Sequence, residues 1–304
     1  MAGSYYVPEQ SKLPIAATIA ASAMMLGAGV WVVDSNAGNV YSNGSSLFAV
    51  GLLAVLAVMW FWFTTVIKEH QAGMNSAQLQ KSYVWGMGWF IFSEVMFFAA
   101  FFGALFYIRN FSVPWLAGEG EKGVANMLWT GFENVWPLMQ TPAQALADST
   151  GIVTTDQVKG PDEIIPWTGL PLINTLLLLS SSVTVHFAHV GLKNGNDKAM
   201  SRWLAATVIL GFVFVGFQAE EYVLAYTELG LTLQSGVYGA TFFMLTGFHG
   251  LHVCIGAIML GIMWIRHRRG HFKPHDHFGF EAASWYWHFV DVVWVGLFLF
   301  VYIL

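Results

Sequence analysis

The sequence predicts an all-α membrane protein, a single membrane domain over residues 1–304 with seven transmembrane helices. Two observations carry that fold class. Hydrophobic residues make up 56% of the chain and charged residues only 10%, where a soluble domain carries about 25% charged residues. The apolar residues are also gathered into long runs. Each run can cross a hydrocarbon core roughly 30 Å thick as a helix rising about 1.5 Å per residue. In lipid such a run must be helical, because a helix satisfies its own backbone N–H and C=O groups.

The first run, Leu13–Val33, follows the stretch MAGSYYVPEQSKLP, which lacks the basic region of a signal peptide, so it is expected to be a retained span. The second, Leu47–Ile67, closes on Lys68, Glu69 and His70. The third, Ser82–Arg109, and the sixth, Gly236–Ile265, exceed the length needed to cross and are expected to tilt. The fourth, Leu170–Leu192, the fifth, Ser201–Tyr226, and the seventh, Phe278–Leu304, complete the set. Between the third and fourth lies a long connection, Asn110 to Thr168, with Pro114, Pro137, Pro142, Pro161 and Pro166. Within it, Thr141 followed by Pro142 has N-cap and first-turn order and predicts a short helix near Thr141–Asp148. The connection reads as an excursion packed on the bundle.

Lys and Arg set the orientation. The N-terminus and the second, fourth and sixth connections hold Lys12, Lys68, Lys81, Lys193, Lys198, Arg202, Arg266, Arg268, Arg269 and Lys273. The opposite side holds Arg109, Lys122 and Lys159. The positive-inside rule therefore puts the N-terminus inside and the C-terminus outside. The net charge of −5 comes with no basic tract that would track phosphates, which argues against nucleic acid as a partner. The single cysteine, Cys254, cannot close an internal disulfide and reads as a small apolar filler.

Polar residues within the spans are few. A helix starting at Ser82 places Glu94 about 18 Å along its axis, near the bilayer midplane. A carboxyl group at that depth marks a functional site or a buried contact. His186 and His189 end the fourth span, and Gln218, Glu220 and Glu221 end the fifth. His249 and His252 lie in the middle of the sixth, and Glu281, His288 and Asp291 lie along the seventh. The pairs His186/His189 and His249/His252 are each spaced i, i+3 and share a helix face. A metalloenzyme built on these four histidines is one reading, and a proton channel centred on Glu94 is another. The plainer reading is favoured over both: the histidines pin helix packing, and Glu94 is a neutral acid hydrogen-bonded to His252 or His249. Neither a catalytic residue nor a metal ligand set is assigned, and no nucleophile motif, phosphate loop or dinucleotide fingerprint is present. On the inside face, Lys68, Glu69, His70 and Arg266 are candidates for binding phospholipid head groups.

Four long motifs carry a resemblance. FIFSEVMFFAAFF at Phe90–Phe102, PLINTLLLLSSSVTVHFAHVGL at Pro171–Leu192, GVYGATFFMLTGFHGLHVCIGAIML at Gly236–Leu260 and HFGFEAASWYWHFVDVVW at His277–Trp294 resemble spans of cytochrome c oxidase subunit III, in the same order. The resemblance implies a two-helix part, residues 13–67, and a five-helix part, residues 82–304, around a V-shaped cleft that holds structural phospholipids. It implies an accessory, non-redox subunit that stabilises the catalytic subunit and supports proton uptake, with hemes and copper in partner subunits and none in this chain. Its implied partners are oxidase subunits I and II, with subunit I the main contact, and cytochrome c as electron donor to the complex. The family's intramembrane acid falls on Glu94, and its head-group contacts fall near Lys68, Glu69, His70 and Arg266. Quinol-oxidase forms resemble a five-span chain, so the two N-terminal spans favour the cytochrome c branch. The long connection at 110–168 departs from the family pattern. With the N-terminal sequence it favours a bacterial plasma membrane over the mitochondrial inner membrane.

Overall fold

The computed structural model describes residues 10–39, 43–120, 124–153 and 158–304. Lys122, counted in the charge asymmetry, and the first nine residues of the N-terminal stretch lie outside the described residues. The helices are α1 (Leu13–Asn36), α2 (Asn43–Gln71), α3 (Ala77–Tyr107), α4 (Val113–Leu116), α5 (Pro142–Thr150), α6 (Leu170–Lys193), α7 (Asp197–Thr227), α8 (Gly236–Arg268) and α9 (Phe278–Leu297). Among the described residues, seven stretches are long and apolar enough to cross a membrane.

The end of the third span differs from the sequence expectation. Asn110 was expected to open the long connection, but a π-helical turn over Ile108–Ser112 carries α3 directly into α4. The apolar helix therefore runs Ala77–Leu116. Pro114 does not stop it, because it sits in the first turn of α4, where a backbone N–H is dispensable.

The chain divides into two units, Met1–Tyr83 and Val84–Leu304. In the first, α1 and α2 pack on each other over their length. Three buried glycines set how close they come. A side chain at Gly27 would strike the backbone at Phe48, one at Gly44 that at Trp31, and one at Gly51 that at Met24. The main chains are in contact, as small residues permit between helices in lipid. The outer faces of both helices are apolar and exposed, as at Ile19 on α1 and Trp60 on α2.

In the second unit α9 is the central element, packed on α6 and α8, while α7 packs on both α6 and α8. The apolar window of α9 is 50% buried, the highest share of the seven. Trp287 and Trp294 are among its fully buried residues. Their polar edges are matched by hydroxyls on α6. The Trp287 indole N–H donates to Ser181 Oγ at 2.9 Å, and that of Trp294 to Thr175 Oγ1 at 2.9 Å. Trp287 also fills a slot between helices that exists only because Gly211 on α7 and Gly256 on α8 lack side chains. The part of α3 in this unit joins through aromatic rings: Phe98 meets Phe289 of α9, and Phe97 and Phe101 meet Phe248 of α8.

The long connection is packed against this unit. Thr141 caps α5 with a reciprocal capping box involving Gln144, and the helix runs slightly past the expected Asp148 to a left-handed Gly151 at its C-terminus. Trp136 stands edge-on to Tyr238 at 5.7 Å, and the Asp162 N–H donates to the Leu229 carbonyl at 2.9 Å. Phe132, Leu138, Ala145 and Ile165 are buried in the core.

Candidate functional site

Among the described residues of the second unit, four polar clusters hold the candidate side chains. The first joins α3 to α8. Glu94 Oε2 lies 3.0 Å from His252 Nε2. His252 Nδ1 lies 2.6 Å from the Phe248 carbonyl, which only accepts, so Nδ1 carries a proton and donates it. The Glu94–His252 contact then needs one further proton between the two groups, since a bare carboxylate facing a bare nitrogen lone pair would repel. With that proton the pair carries no net charge, the cheapest arrangement for ionisable groups away from water. Phe97, Phe98 and Tyr286 ring His252. His249, one turn away, does something else. It is fully buried between Phe214 and Trp294, with Nε2 3.2 Å from the Val290 carbonyl.

The second cluster joins α6 to α9. His288 Nδ1 lies 2.8 Å from Ser182 Oγ and 3.6 Å from Asp291 Oδ2. Asp291 is buried, whereas the His288 side chain is 42% exposed. The third joins α7 to the π-helical turn Phe298–Ile303 that follows α9. The Tyr302 O–H and the Gln218 amide both donate to Glu221 Oε1. Neighbouring Glu220 points outward and is exposed.

The fourth lies where the end of α6 meets the start of α9. His189 Nε2 and His277 Nε2 each lie 3.2 Å from the same oxygen, Glu281 Oε1. Among the described residues, this is the one group of three or more His, Cys, Asp or Glu ligand atoms close enough to share an ion. The four histidines considered from sequence are not such a group. His186 is exposed on α6, His189 turns to α9, and His249 and His252 take the separate contacts given above.

The head-group candidates occupy helix ends. Lys68 is exposed in the last turn of α2 beside Glu69, and His70 Nδ1 accepts from the Asn75 amide at 2.8 Å. Arg266 is in the last turn of α8, half-buried, with its guanidinium 4.7 Å over the Phe272 ring and no carboxylate partner among the described residues. Cations at helix C-termini also complement the negative end of the helix dipole.

Sequence reading singled out one partner of several contacts and missed the other. It did not pick out His277, although the i, i+4 spacing from His277 to Glu281 puts both on one face of a first helical turn. It also missed Tyr302, Ser182 and the hydroxyl acceptors Thr175 and Ser181. Serine and threonine in an apolar run carry no individual signal.

Fold and polar clusters together define a class: a polytopic helical membrane protein whose intramembrane polar groups tie one helix to the next. Comparison with known proteins gives the family. The family model described as cytochrome c oxidase subunit III matches residues 3–117 and 145–304. The cytochrome c oxidase subunit 3 of Carassius auratus is 37% identical over 302 residues, spanning 99% of this chain and 97% of that one. That of Marchantia polymorpha is 38% identical over 299 residues, 98% and 95% of the two chains. That of Arabidopsis thaliana is 37% identical over 300 residues, 98% and 96%. The chain belongs to the cytochrome c oxidase subunit III family, multi-pass membrane subunits of an oxidoreductase complex.

Proposed function

We propose that this chain is an accessory subunit that carries no redox centre, stabilises the catalytic subunit during reduction of oxygen to water and supports its proton uptake. The observation that carries this reading is the way its intramembrane polar groups pair locally, for the most part from one helix to the next. Glu94 with His252, Ser182 with His288, and Gln218 and Tyr302 with Glu221 each close a local contact. Such contacts fix helix packing. Among the described residues, these contacts stand apart from one another. The four histidines His186, His189, His249 and His252 do not share one ligand group.

On this reading subunit I is the main contact, subunit II a further neighbour, and cytochrome c the donor to the complex, whose hemes and copper lie in the partner subunits. The exposed cations Lys68 and, separately, the half-buried Arg266 are suited to phospholipid head groups, with Glu69 and His70 flanking Lys68. The Lys and Arg asymmetry favours an inside N-terminus, and we assign the complex to a bacterial plasma membrane. The test compares the assembled oxidase with and without this chain. The expected result is a similar initial rate of oxygen consumption, followed without the chain by progressive loss of activity over successive turnovers. Recovery of stoichiometric heme or copper on the isolated chain would overturn the proposal.

A further inference from the structure

We infer that His189, His277 and Glu281 form a zinc site that bridges the end of α6 and the start of α9. The inference goes beyond the accessory role proposed above and requires no redox chemistry.

The donor set fits the ion. Two imidazoles and one carboxylate are a recurrent three-ligand set for Zn2+, which takes a water in the fourth position. The spacing fits as well. Two ligands of a tetrahedral zinc, each bonded at about 2.0–2.1 Å, lie about 3.3 Å from each other. Both Nε2 atoms stand 3.2 Å from Glu281 Oε1. All three ligand atoms lie within 4.8 Å of one another.

The lone pairs are set up for binding. His277 Nδ1 lies 3.0 Å from the Lys273 carbonyl and donates to it. That leaves Nε2 of the neutral ring as the bare atom, aimed at the carboxylate. This pattern, with one ring nitrogen held by a backbone carbonyl and the other free, is how metal-bound histidines are oriented. The His277 side chain is 8% exposed, and its Nε2 makes no hydrogen bond among the described residues. His189 Nε2 is in the same condition. Proximity to the carboxylate without a well-aligned N–H therefore describes both rings.

The surroundings hold the ligands and leave a way in. His277 sits at the end of a tight turn closed by paired backbone bonds between Lys273 and Asp276. Glu281 lies one helical turn on, and Phe280 packs against His189 at 5.6 Å. Side-chain exposures of 21% at His189 and 29% at Glu281 open one edge of the cluster. The C-terminal end of α6 favours a cation and the N-terminal end of α9 disfavours it. These contributions oppose each other, as does the charge of Lys193 one turn beyond His189, so the three ligands must supply the affinity.

The test uses the assembled oxidase in mild detergent, treated with chelator and titrated with zinc chloride. Bound zinc is counted by elemental analysis, and its neighbours are read by X-ray absorption at the zinc edge. The wild type is expected to hold one more zinc per complex than His277→Ala, His189→Gln or Glu281→Gln. Loss of a ligand should weaken binding by more than the roughly 10–100-fold seen when only a ligand's hydrogen-bond partner is lost. His275→Ala, in the same turn but outside the cluster, should keep the zinc. Equal zinc in wild type and all three ligand variants overturns the inference. So does a wild-type absorption spectrum without imidazole scattering, which needs no variant to assemble. Loss of activity on removing the subunit bears on the accessory role alone, so the two readings fail separately.

Discussion

Replacing Gly256 by alanine should destabilise the bundle, while the same replacement at Gly250 on the same helix should not. A Cβ at Gly256 would stand 2.8 Å from Cε3 and 3.1 Å from Cζ3 of Trp287. Carbon atoms are comfortable at about 3.5–4.0 Å, so the indole must retreat by most of an ångström. It has nowhere to go. Gly211 meets the ring's Cη2 edge, Ser181 holds its N–H, and the side chain is fully buried. Overpacking of this kind costs about 1–3 kcal/mol. Against it stands the gain from removing a helical glycine, about 0.5–1 kcal/mol. Gly250 has no heavy atom within 4 Å of an added Cβ, so only the gain applies there. The assay is reversible unfolding of the purified chain in mixed micelles of mild and denaturing detergent, followed by circular dichroism. The two variants should differ by about 1–3 kcal/mol, the overpacking cost alone. Adding Trp287→Phe to Gly256→Ala should recover part of the loss, with a coupling of about 0.5–3 kcal/mol. Equal effects at the two glycines, or strict additivity with Trp287→Phe, would refute the reasoning.

Other perturbations follow from the same contacts. Glu94→Gln should keep the bond to His252, since an amide can donate to Nε2, whereas Glu94→Ala should cost about 0.6–1.7 kcal/mol in the same unfolding assay. Gly51→Ala drives a side chain into the α1 backbone near Met24. It should cost about 3 kcal/mol or more and abolish cross-linking between single cysteines placed on α1 and α2. Thr141→Ala removes the α5 cap and the bond to the Val158 carbonyl. It should cost about 0.5–2 kcal/mol, read as faster amide exchange confined to the long connection.

Hydropathy marked the spans well because lipid enforces helix on any apolar run of sufficient length. It marked their ends less well. The second helix begins at Asn43 and ends at Gln71, several residues beyond Leu47 and Ile67 on each side. The third begins at Ala77 rather than Ser82. Polar residues at a span's edge are outside the hydrocarbon yet still helical, and an apolar-run criterion cuts them off. The polar clusters show the complementary limit. Glu94 was visible because a carboxylate is conspicuous in FIFSEVMFF, and the two candidate partners named for it differed by less than one helical turn. Choosing His252 over His249 needs the rotation of α8 about its axis, which is set by how Phe97 and Phe98 pack. The His189, His277 and Glu281 cluster depends on where α6 ends relative to where α9 starts, and no periodicity along one helix contains that relation. The Trp287 slot is likewise assembled from Gly211, Gly256 and Ser181 on three different helices.

The backbone contact between α1 and α2 also bears on how the chain is made. Its three glycines and the backbones they touch all fall within residues 23–51, so the pair is complete while the rest of the chain is still to be synthesised. Helices that are local in sequence can dock as soon as both reach the bilayer, and here that contact needs nothing from α3 onward. A bulky substitution at Gly27, Gly44 or Gly51 would therefore act first on newly inserted chains, and would be seen as rapid clearance by membrane quality control before any oxidase is assembled.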